Sequence, residues 1–456
     1  MARRRGDPKR VLLIGGGGRE FMLAWKLSQE GYTIHWYTGN PLHCGYLDIP
    51  HCLLADPESD SVEDLIAYAK RNSIGWVLIG PEKYLAAGYV DGFKYAGIAV
   101  FGPTKAAAIL ETSKYECKRL LDLAGILTAD WAFFDVTNPS RALDFIRDNF
   151  RKGFRVIKAV GLCDGKGVTV GKTLKEAEEA IRDCLKRDKF GAAGRQILIE
   201  KKLKPRRGLV RGEFSMTVVT DGVDYQILLA AMDHKQVFDG DKGLNGGGSG
   251  AISHPDFVTA KVKRQFENDV LKPLLATLNN LKIKFKGVLY FGLMLTDRGP
   301  EVLEINVRFG DPECQVIMGM CQQGMGELLY RVATGQSIKD IKVKFHQGRA
   351  VYLIQMAEGY PGTVRRKGFQ DGDIISGLEQ VRPLKDIIFV HAGTTFSEKG
   401  RAIRTNGGRV TGIFCRRTGR RARELARQRT LAVVRMVNWP GQFHRTDIGE
   451  IGCEAA

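Results

Sequence analysis

The sequence has no paired cysteine motif and no long apolar segment. Its nine cysteines are scattered along 456 residues without any Cys-x-x-Cys pair, which argues against a disulfide framework or a structural zinc site and favours reduced thiols. The basic first ten residues are followed by only four apolar ones before a run of glycines, too few for a signal peptide or a membrane span. We therefore expect a cytoplasmic protein without membrane association, long enough for two to four domains.

Acidic residues are scarce relative to basic ones, and the formal net charge is +18. Basic residues cluster at positions 3–5, 201–211, 365–367 and 416–423. Such a field favours anionic partners, including nucleotides, phosphorylated metabolites and nucleic acid. A solvated surface that keeps the protein soluble explains the charge at least as well. The basic clusters lack the interleaved aromatics of nucleic-acid-binding motifs, so nucleic acid is only a weakly supported partner.

Strands alternate with helices in the first hundred residues. The apolar run 11–14 precedes a turn of four glycines and an amphipathic helix, and a strand at 76–79 ends in a Gly-Pro-Glu turn at 80–82. This alternation predicts an α/β protein whose N-terminal domain, residues 1–113, is a doubly wound parallel sheet. Ligands of such sheets bind beyond the carboxyl ends of the strands, where both turns lie. A purely structural tight turn is the alternative for the glycines.

After residue 113 the pattern changes to mixed α+β. We predict a central α+β domain at 114–342 with a small flexible subdomain at about 132–200, followed by a C-terminal mixed α/β domain at 343–456. No internal repeat or low-complexity linker separates these regions in the sequence. We therefore expect them to pack as one body.

One apolar strand carries three polar side chains at alternate positions: Glu304, Asn306 and Arg308. Successive side chains of a strand point to opposite faces, so these three share one face. Burying them would cost free energy unless each found a partner. Mg²⁺ with nucleotide phosphates supplies such partners, because Mg²⁺ prefers oxygen ligands and arginine forks onto phosphate. A half-exposed edge strand is the alternative.

Two glycine-rich segments are candidates for ligand contact. Lys158 ends a predicted strand and precedes a glycine-rich turn that contains Lys166. Amide and ammonium groups of such a turn would close over a triphosphate, whereas a simple hairpin would explain the glycines but not both lysines. The polar segment 233–251 is expected to be a long functional loop, with a disordered surface loop as the alternative.

Together these segments resemble the ATP-grasp enzymes, and within them the phosphoribosylamine-glycine ligase family. The resemblance runs through nearly the whole chain in the family's order. Its matching segments are 11–27, 80–82, 101–104, 113–114, 157–168, 233–251, 292–294, 303–313, 359–362, 391–394 and 405–409. It implies a central ATP-grasp domain whose small subdomain is a lid.

The resemblance also implies an activity. Glycine would react with ATP to give a glycyl phosphate, and 5-phosphoribosylamine would then displace phosphate, a step of purine biosynthesis. The implied cofactors are ATP and Mg²⁺ (or Mn²⁺), the partners are small-molecule substrates, and the protein would be a monomer or homodimer.

Each matching residue acquires an implied role. The metal ligands would be Glu304 and Asn306. The catalytic residues would be Arg308, Asp311 and Lys235. The nucleotide-binding residues would be Lys114, Lys158, Gly161, Gly165, Lys166, Gly167, Val168, Glu200, Leu203 and Glu213. The residues that bind the other substrates would be Gly17, Gly18, Arg19, Glu20, Pro81, Glu82, Asp241 and Asn245.

The sequence departs from the family pattern at several positions, and several of these changes lie near the acceptor. Phe21 stands where the family usually has His, Val160 replaces an Asp of the lid, and Gln236 replaces an Arg. The segment 200–203, which corresponds to the family's adenine-binding hinge, contains two lysines and is followed by the basic insertion 204–211. Two further functions are therefore open: a diverged ligase that attaches an amino acid to another amine on a nucleotide or nucleic-acid base, and a non-catalytic nucleotide-binding or nucleic-acid-binding protein. The retained nucleotide and metal positions argue against loss of catalysis.

Overall fold

The computed structural model describes residues 6–40, 42, 49–163, 166–362, 372–397, 400 and 402–450. Gly165, one of the predicted nucleotide-binding residues, lies outside these ranges, as do the basic clusters at 3–5 and 365–367.

The N-terminal region is a parallel sheet of five strands flanked by helices, which confirms the predicted doubly wound fold. Its elements are β1 (Asp7–Ile14), α1 (Gly18–Gln29), β2 (Thr33–Tyr37), β3 (Cys52–Leu54), α2 (Val62–Arg71), β4 (Ile74–Ile79), α3 (Glu82–Ala87), α4 (Tyr89–Tyr95) and β5 (Ala99–Phe101). The strand order β3-β2-β1-β4-β5 reverses direction between β1 and β4. The turns after these two strands therefore lie side by side, and the Gly80 amide donates to the Ile14 carbonyl at 3.0 Å.

The lid is a small sheet with a core of its own. Two helices, α5 (Ile109–Thr112) and α6 (Lys114–Leu123), precede the lid. Its own elements are β6 (Trp131–Asp135), α7 (Pro139–Asn149), β7 (Phe154–Ala159), β8 (Val168–Val170), α8 (Leu174–Leu185) and β9 (Gln196–Lys201). The four antiparallel strands have the order β6-β9-β7-β8. Apolar residues of α7 and α8 pack on β7 and β9 in a separate cluster that includes Ile146, Ile157 and Ile181. The subdomain therefore has an apolar core separate from that of the larger sheet.

The rest of the chain builds a second, larger sheet. The remaining central elements are β10 (Glu213–Thr220), β11 (Tyr225–Ile227), β12 (Ala231–Asp233), β13 (Gln236–Phe238), β14 (Lys242–Asn245), β15 (Gly250–Ser253), α9 (Ala260–Phe266), a π-helical turn (Glu267–Leu271), α10 (Lys272–Asn280), β16 (Gly287–Thr296), β17 (Gly299–Asn306), α11 (Glu313–Met320), β18 (Cys321–Gln323) and α12 (Met325–Thr334). The C-terminal elements are β19 (Lys344–Phe345), β20 (Arg349–Met356), α13 (Leu378–Val381), β21 (Ile387–His391), β22 (Thr394–Phe396), β23 (Ile403–Thr405), β24 (Arg409–Arg417) and α14 (Ala422–Val434).

This larger sheet crosses the predicted boundary at residues 342/343. Its strand order is β17-β16-β10-β12-β15-β20-β24-β21, with β11 paired to β10. The junction is the antiparallel pairing of β15 with β20, in which Gly250 lies opposite Leu353. The central and C-terminal regions therefore share one sheet.

The segment 233–251 is more ordered than the predicted loop. Part of it forms the hairpin β13–β14, in which Gln236 lies opposite Asn245. Within the described ranges, no helix is both long and apolar enough to cross a membrane.

Candidate functional site

Two cavities meet where the lid, the N-terminal sheet and the larger sheet come together. The first cavity, of about 320 Å³, lies between the lid and strands β10, β16 and β17. The second cavity, of about 340 Å³, lies between the start of α1 and the C-terminal strands β20 and β24. Gly246, Gly247 and Asp311 line both cavities. These three residues therefore form the wall between them.

Most of the residues predicted from the sequence line one of the two cavities. Those at the first are Glu82, Lys114, Lys158, Gly167, Val168, Glu200, Leu203, Glu213, Lys235, Asn245, Glu304, Asn306, Arg308 and Asp311. Those at the second are Gly17, Gly18, Lys166 and Asp311. Lys166 was predicted to bind the nucleotide, but it lies on the side of the second cavity. Arg19, Glu20, Pro81, Gly161 and Asp241 are outside both linings.

The polar face of β17 lines the first cavity. This strand is at the edge of its sheet, as the alternative interpretation required, but Glu304 and Asn306 face the cavity and are only partly exposed. On the neighbouring strand Gly292 lies opposite Glu304. A Cβ atom at Gly292 would come within 2.9 Å of the Glu304 Cγ atom. The glycine therefore leaves room for this carboxylate beside the cavity.

Glu304 is held in its ionised form by three lysines. Burial alone would raise the pKa of its carboxyl, but Lys235, Lys158 and Lys114 outweigh burial and hold the pKa below its ordinary value. With the Asn306 amide this gives two oxygen ligands for a divalent metal ion. In the part of the chain that the structure describes, no three His, Cys, Asp or Glu side chains gather into a metal cage. A site with two protein ligands fits Mg²⁺, which keeps several waters or phosphate oxygens.

Glu200 binds two lysines at the base of the lid. Lys158 Nζ is 2.9 Å from Glu200 Oε2 and 3.0 Å from the Leu303 carbonyl, while Lys118 Nζ is 3.4 Å from Glu200 Oε1. Burial lowers the pKa of Lys158, but Glu200 more than compensates and leaves it raised. Lys158 therefore stays charged beside the cavity, whereas burial lowers the pKa of Lys118 more than Glu200 raises it. Lys118 was not predicted, although its position one helical turn after Lys114 places both on one face of α6.

Lys114 connects α6 to the glycine turn of the lid. Its Nζ donates to the Gly161 carbonyl at 3.0 Å, and its backbone amide donates to the Val160 carbonyl at 3.1 Å. Burial lowers the pKa of Lys114 more than the nearby Glu304 raises it, so the pKa lies below its ordinary value. Gly161 therefore fastens the lid turn to α6 and does not line the cavity.

Arg308 lies between two carboxylates at the inner end of the first cavity. Its Nε atom is 3.1 Å from Glu82 Oε2 and its Nη2 atom is 3.1 Å from Glu111 Oε1. Burial lowers the pKa of Arg308, but Glu111 and Glu82 outweigh it and raise the pKa above its ordinary value. The guanidinium is thus a fixed positive charge. Glu111 was not predicted, because its sequence surroundings do not distinguish it from a helical surface residue.

Two residues of the C-terminal region, Arg409 and Tyr360, bind the wall between the cavities. Arg409 Nη2 is 2.7 Å from Asp311 Oδ2, and Arg409 Nη1 donates to the Gly247 carbonyl at 2.5 Å. The Gly247 amide donates to the Tyr360 hydroxyl at 2.6 Å. Burial would raise the pKa of Asp311, but Arg409 and Arg19 hold it below its ordinary value. Arg409 and Tyr360 were not predicted as site residues, although both lie in segments that match the family.

Arg19 and Glu20 stabilise the glycine turn through hydrogen bonds outside the cavities. Glu20 Oε2 accepts from the Gly17 amide at 2.9 Å, and Arg19 Nε donates to Glu20 Oε1 at 2.6 Å. Arg19 Nη1 also donates to the Phe309 carbonyl at 3.3 Å. Both side chains are buried. They fix the turn that carries Gly17 and Gly18 to the second cavity.

Asp241 belongs to an ion cluster that we call the hairpin anchor, formed by Arg211, Asp241, Arg445 and Asp447. Asp241 Oδ1 is 2.8 Å from Arg445 Nη1, and Asp241 Oδ2 is 2.5 Å from Arg211 Nη2. Asp447 binds Arg445 and accepts from the Gly240 amide at 2.9 Å. The two guanidinium groups turn Asp241 away from the cavities, where the sequence had predicted it.

A second buried carboxylate group of the first cavity was also missed. The Tyr290 hydroxyl donates to Glu313 Oε1 at 2.7 Å, and Lys235 Nζ is 2.8 Å from Asp233 Oδ2. Burial, with the nearby Asp233, raises the pKa of Glu313 to about 7. The first cavity thus holds a titratable carboxyl beside ionised Glu304. Of the missed residues, Asp233 had a signal, since it precedes the predicted Lys235 by two positions, the spacing of side chains that share one face of an extended chain.

Comparison with known proteins gives matches along nearly the whole chain. Family models described as phosphoribosylglycinamide synthetase match at residues 9–111 (N domain), 112–314 (ATP-grasp domain) and 350–451 (C domain). The chain is 37% identical to the phosphoribosylamine-glycine ligase of Rhodopirellula baltica, over 96% of this chain and 97% of that protein. It is 38% identical to the corresponding ligase of Vibrio vulnificus, again over 96% of this chain and 97% of that protein.

Two solved structures also match nearly the whole chain. The crystal structure of phosphoribosylamine-glycine ligase from Thermotoga maritima has a TM-score of 0.76 and 27% identity, covering 96% of this chain and 100% of that one. Biotin carboxylase from Campylobacter jejuni has a TM-score of 0.67 at 14% identity, covering 97% of this chain and 94% of that one. At that identity the likeness shows a shared fold only.

Proposed function

The chain belongs to the phosphoribosylglycinamide synthetase family, and from that premise we propose that it joins glycine to 5-phosphoribosylamine in purine biosynthesis. It is an ATP-grasp ligase that forms a carbon–nitrogen bond and uses ATP with a divalent metal ion. The products would be glycinamide ribonucleotide, ADP and phosphate. Relatives of nearly full length with this activity in their names favour this reaction over a diverged acceptor or a non-catalytic protein.

In the first step the glycine carboxylate attacks the γ-phosphate of ATP in the first cavity. Lys114 and Lys158 hold the phosphates, and Arg308 neutralises the phosphoryl group as it is transferred to the carboxylate oxygen. Positioning and charge neutralisation supply most of the catalysis in such transfers, so no side-chain nucleophile is required. The cluster of three lysines around Glu304 supports this assignment.

Glu304 and Asn306 would hold the metal ion, Mg²⁺ or Mn²⁺, whose charge would neutralise the nucleotide phosphates. The lid turn that includes Gly161, Gly167 and Val168 would close over these phosphates. The hinge from Glu200 to Leu203 would receive the adenine, and Glu213 would receive the ribose. Because the Glu200 side chain is occupied by two lysines, the adenine contacts would come from the backbone that follows it.

In the second step the amine displaces phosphate from glycyl phosphate across the shared wall. Gly18, at the start of the twelve-residue helix α1, offers its backbone amide to the phosphate of phosphoribosylamine. Gly17, whose amide is bound to Glu20, lines the cavity beside it, and Lys166 adds a positive charge. The single observation that carries the proposal is that Asp311 and the Gly246-Gly247 pair line both cavities. An acyl phosphate made in one cavity is therefore next to an amine bound in the other.

The predicted roles of Lys235 and Asn245 also remain part of this proposal. Both line the first cavity near Asp311, where the glycyl group would lie between the two substrates. Domain boundaries at 113/114 and 342/343, a cytoplasmic location and a monomeric or homodimeric state complete it.

Glycine-dependent ADP release, measured with and without phosphoribosylamine on the purified protein, tests the function. We expect ADP release only when both substrates are present with Mg²⁺. ADP release with another amine or another amino acid, but not with this pair, would contradict the proposal. Absence of ADP release under every condition would indicate a non-catalytic protein.

A further inference from the structure

The carboxylate of Glu111 contacts the end of the polar strand at two adjacent residues. Glu111 Oε2 accepts from the Val307 amide at 2.8 Å, and Glu111 Oε1 is 3.1 Å from Arg308 Nη2. Its side chain is only 5% exposed. We propose that Glu111 is a positioning residue that sets the orientation of the Arg308 guanidinium toward the transferred phosphoryl group. This inference rests on the proposed function.

The contacts of Arg308 show what is positioned. Each of its three nitrogens has a protein partner: Nε with Glu82, Nη2 with Glu111, and Nη1 with the Phe309 carbonyl at 3.2 Å. A guanidinium has five N–H donors, so these three contacts leave two for a ligand. Because the group is planar and rigid, fixing its three nitrogens also fixes the direction of the two remaining N–H groups. Arg308 lines the first cavity, so phosphoryl oxygens can accept from them.

Glu82 and Glu111 hold this guanidinium from different parts of the fold. Glu82 begins α3 in the N-terminal sheet, and its side chain is 22% exposed. Glu111 is more deeply buried and also binds the backbone between Asn306 and Arg308. Glu111 therefore constrains both the side chain of Arg308 and the strand end from which it projects, whereas Glu82 constrains the side chain alone.

Glu111 also lies close in sequence to Lys114, the lysine proposed to bind phosphate, and so links that lysine to Arg308. Glu111 is three residues before Lys114, whose ammonium holds the Gly161 carbonyl of the lid. The short segment 111–114 therefore positions two cations of the first cavity relative to each other. A shift of this segment would separate the group that holds ATP from the group that neutralises the transferred phosphoryl.

The test uses Glu111→Gln in the full-length protein. Glutamine keeps the size of the side chain, but an NH2 donor replaces one of the two carboxylate oxygens, so either the Val307 amide or Arg308 loses its acceptor. We expect kcat to fall about 10–100-fold, as for other side chains that orient an active group, with KM for ATP unchanged within roughly 2-fold. Glu111→Asp, which keeps the charge, should recover part of kcat. Glu116→Gln is the matched control, because Glu116 forms an exposed pair with Arg119 on α6.

Two further measurements separate positioning from a merely structural role. Combining Glu111→Gln with Arg308→Lys should lower kcat little more than Arg308→Lys alone, since both changes remove the same oriented group. Glycine-dependent positional isotope exchange in ATP should slow by the same factor as kcat, because Arg308 acts on phosphoryl transfer. Wild-type kcat in Glu111→Gln, or additive effects in the double variant, would overturn the inference. Loss of activity explained by a smaller folded fraction would overturn it as well.

The wild-type protein separates this inference from the proposed function. If wild type releases ADP with glycine and phosphoribosylamine while Glu111→Gln is indifferent, only the role of Glu111 is wrong. If wild type releases no ADP with these substrates, the proposed function is wrong and the role of Glu111 falls with it.

Discussion

Replacing Arg445 by methionine removes the guanidinium at the centre of the hairpin anchor. Arg445 is fully buried. Its Nη2 atom is 2.6 Å from Asp447 Oδ2, and its Nη1 atom donates to Asp241 Oδ1 at 2.8 Å and to the Gln236 carbonyl at 3.1 Å. Methionine fills most of the same space but leaves both carboxylates without this partner. We expect the hairpin β13–β14 to open more often as a result.

The free-energy cost of the substitution depends on the partners that Asp241 and Asp447 retain. Removing one partner of a buried ion pair costs about 3–5 kcal/mol. Here Asp241 retains Arg211 and Asp447 retains the Gly240 amide, and the Asp241 side chain is 33% exposed. The low end of the range, about 3 kcal/mol, therefore applies. Since about 1.4 kcal/mol is a factor of ten in an equilibrium constant, local opening should become roughly 100-fold more frequent.

Hydrogen exchange of the amides from Gln236 to Asn245, followed by mass spectrometry, measures this opening directly. The control is Arg421→Met, which removes an exposed ion pair with Glu424 and should leave exchange of the hairpin unchanged because surface pairs contribute little. Since the hairpin leads into Gly246 and Gly247, KM for phosphoribosylamine should also rise. Wild-type exchange of the hairpin amides in Arg445→Met would refute the reasoning about the anchor.

Three further predictions concern the first cavity. Glu304→Ala removes a charged metal ligand and should lower kcat roughly 100-fold or more; normal ADP release would place the metal site elsewhere. Lys158→Met should raise KM for ATP roughly 10-fold by removing one charged contact with phosphate. Lys172→Met, at an exposed residue after the lid strand β8, is its control. A KM for ATP in Lys158→Met equal to that of the control would contradict the assignment. The Glu313 carboxyl has an ordinary pKa of 4.5 and a pKa of about 7 in the folded protein, so its contribution to stability is fully present below 4.5 and is lost as the pH rises through about 7. Glu313→Gln should therefore raise Tm relative to wild type more at pH 8 than at pH 5, and equal differences at both values would contradict the burial argument.

The residues that could be predicted from the sequence are those whose placement depends on local geometry. Glu304, Asn306 and Arg308 share a strand face because side chains alternate along any strand, and all three line the first cavity. The doubly wound sheet follows in the same way from alternating apolar strands and helices. The Asp239-Gly240 pair is also a local hairpin signal, which could have replaced the predicted loop by β13–β14.

The residues that could not be predicted depend on distant partners. Asp241 turns from the cavities because Arg445, 204 positions along the chain, binds it. Glu111 acquires its place from the Val307 amide, 196 positions away. No periodicity or spacing in the sequence encodes such pairings. The shared sheet is a further case, because only the folded chain brings β15 beside β20.

The pairing of β15 with β20 also has a consequence for synthesis of the protein on the ribosome. Residues 250–253 are made well before their partners at 349–356, so β15 has an unpaired edge for about 5–20 s at ordinary rates of translation. An unpaired strand edge is a template for association with other chains. A nascent chain arrested near residue 345 should therefore bind chaperones or aggregate, whereas one that has passed β20 can complete the sheet within itself.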